Sequence, residues 1–314
     1  MEYLFEEGPL EAEWIWAFEP AFFNTADYLR FCEGMLPTSF YILDQKQRRV
    51  WGVCHFHVAE TYAVSPYRAP FGSVDFAEGL NPRVLYDFLG FIEDNLRTRG
   101  VEELRVTNPP SMDDTGKVAL LETFLINHDF AVINAEVSTV VRITDALFEE
   151  TVRPQERTLI RRGEAAGLHA TRPGAEKAYG IYAYLASWYK KKGYTISVEG
   201  AYIEPMIQRF PDRYRMFTVV DDEGNAVAAS LAIRVKRHVL YNFLFAHDPR
   251  YNAVSPSRLL IRDMHNFCQE EGIRYLDLGT SALNRQPKFP LLDFKRHVGG
   301  VPVSKLTFSK RIKE

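Results

Sequence analysis

The amino-acid sequence predicts an α/β (α+β) protein built as two copies of one domain, each a mixed, mostly antiparallel sheet flanked by helices. Three observations carry that prediction. At 314 residues the chain exceeds the length at which a single hydrophobic core usually keeps growing, so two domains are the natural expectation. Hydrophobic residues make up 46% of the chain, enough apolar surface to offset the entropy of ordering both halves. The pattern of elements also repeats itself in order, at an offset of roughly 170 to 177 residues.

The repeat opens on a hairpin. Ser39 to Leu43, a polar turn over Asp44 to Arg49 and Val50 to Ala59 correspond to Arg215 to Val220, the turn Asp221 to Asn225 and Ala226 to Val235. Both turns are rich in residues that tolerate tight backbone geometry. A further strand follows in each half, Thr61 to Val64 and His238 to Ala246, and then a proline-containing loop leads into a helix. Asn81-Pro82 opens one helix and Ser255-Pro256 the other, each an N-cap residue followed by proline at the first helical position. Leu85, Phe88, Leu89 and Ile92 recur at helical spacing, as do Leu259, Leu260, Met264 and Phe267, so each helix buries one face. Both helices stop at glycine, Gly100 and Gly272.

Alternating strands come next, Val101 to Val106 and Ile273 to Leu278, then short helices, Lys117 to Asn127 and Phe289 to His297, and a last strand in each copy. Pro154 to Ala166, Ala175 to Lys192 and Gly200 to Phe210 read as helices that open the second copy. The expected domains are therefore residues 1–147 and 148–314, with no flexible linker between them.

A formal net charge of -3 gives no global field that would draw the chain onto DNA. The first residues carry acids where a secretory signal would carry basic and apolar ones, and no apolar run is long enough for membrane insertion, so the expected location is cytoplasmic. Cys32, Cys54 and Cys268 lack paired spacing and read as small buried residues of a reducing compartment.

Five segments carry a resemblance. They are Ala69-Pro70-Phe71-Gly72, Arg161-Arg162-Gly163-Glu164-Ala165-Ala166-Gly167-Leu168, Ser255-Pro256-Ser257-Arg258-Leu259-Leu260, Tyr275-Leu276-Asp277-Leu278-Gly279-Thr280-Ser281 and Phe294-Lys295-Arg296-His297-Val298-Gly299-Gly300. With the order of elements, they resemble the GNAT acyltransferase fold, and two such folds in tandem resemble the FemAB-like family. The resemblance implies transfer of an acyl or aminoacyl group to an amine, with the cleft in the second copy and the first copy as scaffold. It implies a small-molecule or aminoacyl donor, charged tRNA among the candidates, and an amine acceptor.

The chain departs from the family at two places. The loop Asn252 to Ser257 lacks the glycines that let backbone amides approach a pyrophosphate, and its proline removes one amide, which disfavours acyl-CoA as the cofactor. Phe294 stands where many GNAT enzymes place a tyrosine that protonates the leaving thiolate. The alternative reading is a non-catalytic ligand-binding protein on a degenerate tandem GNAT fold.

In this fold the reacting groups gather where two central strands diverge. Asp277 and His247 are the candidate catalytic residues, since an amine attacks only after losing its proton. Asp277 in an apolar strand is a base candidate, but it also suits a turn beside Gly279. Ser255, Ser257 and Lys295 are candidates for holding the donor, with helix capping for Ser255 and a solvated lysine as the other readings. Tyr241, Tyr194, Arg161, Thr280 and Ser281 are the candidate substrate-binding residues. Arg161, Arg162 and Lys190 to Lys192 fit a phosphorylated ligand or a wet helix face. His55 and His57 share a strand face, but no acid or cysteine completes a metal site, and no metal is expected.

Overall fold

A computed structural model describes residues 3–11, 13–32, 37–112, 115–194, 196, 200–283 and 286–312. The chain forms two compact units, Met1–Glu136 with Ser304–Glu314, and Val137–Val303. In chain order the main elements are β1 (Tyr3–Glu7), β2 (Thr38–Asp44), β3 (Arg49–Ala59), β4 (Tyr62–Ser65), α1 (Pro82–Thr98), β5 (Glu103–Thr107), α2 (Thr115–Asn127) and β6 (Ala131–Arg142). There follow α3 (Pro154–Ala165), β7 (His169–Thr171), α4 (Ala178–Lys191), α5 (Gly200–Arg209), β8 (Tyr214–Val220) and β9 (Ala226–Lys236). The last are β10 (Val239–His247), α6 (Pro256–Glu270), β11 (Tyr275–Thr280), α7 (Phe289–His297) and β12 (Val301–Arg311).

The sheet of the first unit runs β1-β2-β3-β4-β5-β12 and that of the second β7-β8-β9-β10-β11-β6. Every step has the same sense in both. The first three pairings are antiparallel, β4 with β5 and β10 with β11 are parallel, and the last is antiparallel again. The first strand of each sheet, β1 and β7, was not expected; at five and three residues they are too short for a period to show in the sequence.

The last strands are exchanged between the repeats. Thr307 to Arg311 of β12 pair with Thr107 to Glu103 of β5, and Ser138 to Arg142 of β6 pair with Thr280 to Tyr275 of β11. The sequence placed each last strand with its own copy. Strand pairing uses backbone groups that do not record which repeat supplied them, so the pattern cannot distinguish these partners. The packing can: Phe308 is buried in the first core and Val141 in the second.

Helix α1 shows why these residues form these elements. Asn81 Oδ1 accepts the Arg83 amide at 2.9 Å, Pro82 supplies a preset φ, and Leu85, Phe88, Leu89, Ile92 and Leu96 are buried. A fully buried side chain of that size contributes about 1.5 to 3 kcal/mol. The apolar face of α6 is built likewise from Leu259, Leu260, Met264 and Phe267. Its start differs from expectation. Ser255 has φ 51° and makes no side-chain cap; its Oγ donates instead to the Asn252 carbonyl at 3.3 Å.

Two glycines set the approach of elements to the site. A Cβ at Gly163 of α3 would lie 2.7 Å from the Val254 carbonyl oxygen and 2.8 Å from Leu259 Cδ1, so only glycine lets α3 lie against the start of α6. A Cβ at Gly300 would lie 2.3 Å from Thr139 Cγ2 and 2.6 Å from the Lys295 carbonyl oxygen. The three cysteines are buried thiols, and burial pushes Cys54 up to about 12. Among the described residues no helix is long and apolar enough to cross a membrane.

Candidate active site

The second unit opens where β10 and β11 part. They pair at Val239 with Tyr275, Leu240 with Leu276 and Tyr241 with Asp277, and at no residue beyond. From there β10 stays with β9 as far as His247, while β11 shifts register and reaches β6 through Thr280 and Ser138. Gly279, at φ 74°, makes the bend. The wedge leads into a cavity of about 620 Å³.

Seven of the ten sequence-predicted residues line it: His247, Ser255, Ser257, Lys295, Tyr241, Tyr194 and Thr280. Three do not. Asp277 is fully buried, and its Oδ1 accepts from Ser138 Oγ at 2.9 Å and from the Gly279 amide at 2.8 Å. It points away from the cavity that its neighbour Leu278 lines, so it has no reach to a substrate amine. Ser281 is buried behind the lining, where its amide donates to the Val137 carbonyl and its carbonyl accepts the Lys288 amide, each at 2.8 Å. Arg161 stands on the exposed face of α3, whose buried residues are Glu156, Ile160 and Gly163.

Lys295, in the last turn of α7, is 7% exposed. Its Nζ donates to the carbonyls of Gly279 at 2.8 Å and Thr280 at 2.9 Å, which leaves a third N–H for the cavity that the side chain lines. Burial pushes its pKa down to about 8, with the charge of Asp277 opposing. His247 ends β10, and its Nε2 meets Asn252 Oδ1 at 2.8 Å. Because that oxygen only accepts, Nε2 carries the proton and Nδ1 presents a lone pair. Burial lowers the imidazole pKa and the Lys192 charge adds to the effect, against the Asn252 hydrogen bond.

Two further lining groups, Arg258 and Lys288, escaped sequence reasoning. Arg258 bonds Glu156 through Nε and lies 5.3 Å from the Phe294 ring centroid. Lys288 Nζ donates to Tyr194 Oη and sits 4.1 Å from the centre of that ring. Tyr189 Oη takes the Phe245 amide, on the edge of β10 that β11 has left, in a long hydrogen bond of 3.5 Å. The signal for Arg258 was its place in the first turn of α6; Lys288 follows a short hairpin and had none. The described lining carries Lys192, His247, Arg258, Lys288 and Lys295 and no acidic residue.

His55 and His57 belong to β3 of the first unit. His55 Nδ1 meets Ser39 Oγ at 2.8 Å and Nε2 meets the Asn24 carbonyl at 3.2 Å, and burial lowers its pKa to about 4. His57 lies against the Tyr67 ring at a centroid distance of 4.8 Å.

Residues 148–296 match the family described as an acetyltransferase (GNAT) domain. Among solved structures, the crystal structure of FemX is similar over 94% of both chains, with 12% identity and a TM-score of 0.69. The structure of L-PGS from Bacillus licheniformis is similar over 93% of both chains, with 12% identity and a TM-score of 0.56. A tandem GNAT protein from the clavulanic acid biosynthesis pathway is similar over 88% of this chain and 83% of that one, with 12% identity and a TM-score of 0.53. Such likenesses establish the fold. No curated protein matches the chain by sequence.

Proposed function

We propose that this chain, which carries a GNAT domain over residues 148–296 and shares its fold with FemX, is a FemAB-like tandem GNAT protein that transfers an acyl or aminoacyl group from an activated ester to an amine. The observation that carries the reading is a buried ammonium, Lys295, presented to a cavity at the point where the central strands part. The neutral imidazole of His247 lines the same cavity. In the reaction the amine, bound neutral, attacks the ester carbonyl carbon, forming the C–N bond, and the oxygen takes up the negative charge that Lys295 stabilises. His247 Nδ1 takes the proton that the attacking nitrogen sheds. Collapse breaks the C–O bond, and the departing oxygen takes the proton from the imidazolium.

A lining with five basic groups and no acid does not hold an ammonium; it lowers the pKa of a bound amine and favours a substrate that carries negative charge elsewhere. The start of α6 does not fit the pyrophosphate of coenzyme A. Pro256 has no amide, and the amides of Ser255 and Arg258 already serve the carbonyls of Tyr251 and Ser255. An ester donor also has less need of a proton from the position of Phe294. A desolvated lysine would also bind an anion without reaction, so what weighs against a purely ligand-binding protein is the neutral imidazole of His247 lining the same cavity as the Lys295 ammonium.

The test is amide formation, read by mass spectrometry, from charged tRNA and from acetyl-coenzyme A with a panel of amines bearing a phosphate, a carboxylate or no anion. Transfer from the ester is expected, with Lys295→Ala lowering its rate about 100- to 1000-fold. Micromolar calorimetric affinity for acetyl-coenzyme A, with efficient transfer from it, would overturn the choice of donor. A full rate in Lys295→Ala would overturn the mechanism.

A further inference from the structure

Three hydrogen bonds meet at the turn behind Lys295. On one side Asp277 Oδ1 holds the Gly279 amide at 2.8 Å; on the other the carbonyls of Gly279 and Thr280 hold Lys295 Nζ at 2.8 and 2.9 Å. The backbone turn that binds the carboxylate is thus the turn that binds the ammonium. With Gly279 at φ 74°, few residues other than glycine would let that turn form. Neither Asp277 nor Ser138, which donates to Asp277 Oδ1 at 2.9 Å, lines the cavity, and both are within 1% of full burial. Ser138 lies opposite Thr280 on β6, the last strand of the first repeat.

A buried ammonium needs both hydrogen-bond acceptors and a counter-charge, since desolvation penalises its charged form. The turn provides the acceptors. Among the charged groups around Lys295, Arg258 of α6, His247 of β10, Lys192 after α4 and Lys288 before α7 share the cavity and are basic. On its own helix Arg296 bonds Asp293, and His297 faces Glu156 of α3, which also holds Arg258. Asp277 is the carboxylate whose charge acts on Lys295.

We propose that Asp277 is the positioning residue of this site: it fixes the Gly279–Thr280 turn that aims the Lys295 ammonium and supplies the charge that keeps it protonated. Ser138, delivered by the strand exchanged from the first repeat, orients Asp277. The inference rests on the reading of Lys295 as oxyanion donor, yet its test needs no turnover. Its consequence is that the site of the second unit is incomplete without a strand that the sequence assigns to the first copy.

The experiment measures the reactivity of Lys295 towards trace acetic anhydride as pH rises, by mass spectrometry of its peptide against that of exposed Lys46. In the unmodified protein labelling should climb through a midpoint of about 8. Asp277→Asn keeps an acceptor for Gly279 and Ser138 but removes the charge, so the midpoint should fall by about one pH unit, and Asp277→Glu should recover part of the fall. Ser138→Ala should shift it the same way by less. If Asp277→Asn does not fold, Ser138→Ala decides alone, a shift supporting the proposal. An unmoved midpoint in the folded variants overturns it, whether or not amide transfer is found. A shifted midpoint without transfer from any donor defeats the proposed function and leaves this arrangement standing.

Discussion

The two units share one strand order and differ most at the joint between the two parallel strands. In the first, β4 is four residues long and all four pair with β5, from Tyr62 with Glu103 to Ser65 with Val106. The chain then turns back, burying Phe71 and giving the Gly72 amide to the carbonyl of Thr107, the last residue of β5. In the second, β10 is nine residues long and pairs with β11 at three. Its remaining length forms a wall of the cavity, and the carbonyls at the bend of β11 hold Lys295 instead of a returning loop. The difference teaches that this topology allows a cleft and strand length makes one. A strand that outruns its parallel partner leaves an edge to which side chains and ligands can bind.

The largest expected effect that sharpens this comparison is on pH dependence. His247 must be neutral to accept a proton, and burial holds its pKa below the ordinary value, so the rate should fall as pH drops through that lowered pKa. Lys295 must be charged, so the rate should fall again as pH rises through about 8. The profile is a bell, each limb approaching tenfold per unit. His247→Ala should remove the acid limb, whereas His55→Asn and His57→Asn in the first unit should leave both limbs in place. Movement of either limb in the first-unit variants would show that both units titrate in the reaction, and the contrast would fail.

Much of this was legible from local pattern. Helix starts, apolar faces and hairpin turns depend on neighbours within a few residues, so the repeat could be read element by element, and His247, Ser255, Ser257 and Thr280, chosen from strand ends and the start of α6, line one cavity. The exchange of β6 and β12 was not legible, because nothing local tells a strand which edge it will join. Asp277 was misread for a related reason. A polar residue in an apolar strand signals burial, but the side to which it turns depends on Ser138, 139 positions away. Arg161 was misplaced although the information was present, since Glu156, Ile160 and Gly163 of α3 set the buried face and leave Arg161 off it.

The link from helix to last strand gives a mid-sized test. In the first unit it passes through Asp129, at φ 59°, and Phe130, which is 5% exposed and whose amide bonds the Leu125 carbonyl at 3.0 Å. In the second it passes through Gly299, at φ 89°, and Gly300, whose amide bonds the Lys295 carbonyl at 3.0 Å. One unit fills the corner with a ring; the other leaves it bare so that Thr139 and α7 can close up. Phe130→Ala should therefore cost about 3 to 5 kcal/mol through the cavity it leaves. Gly300→Ala should cost about 1 to 3 kcal/mol through overpacking. Urea unfolding measures both. A neutral Gly300→Ala would mean that the corner near Lys295 is looser than these contacts show.

The smallest effect concerns how the two long helices begin. Asn81 satisfies the Arg83 amide with its own side chain, so α1 is closed at its start, and Asn81→Ala should cost about 1 kcal/mol. Ser255 sits in the corresponding place before Pro256 but is left-handed, and its hydroxyl serves the Asn252 carbonyl rather than an amide of α6. Ser255→Ala should accordingly change stability by no more than about 0.5 kcal/mol, the range of a substitution that removes no cap. Ser255→Gly, which relieves a φ of 51°, should gain about 0.5 to 1 kcal/mol. The ordering of the three variants in urea unfolding is the measurement. If Ser255→Ala loses as much as Asn81→Ala, the start of α6 is capped after all, and the two units do not differ in how these helices begin.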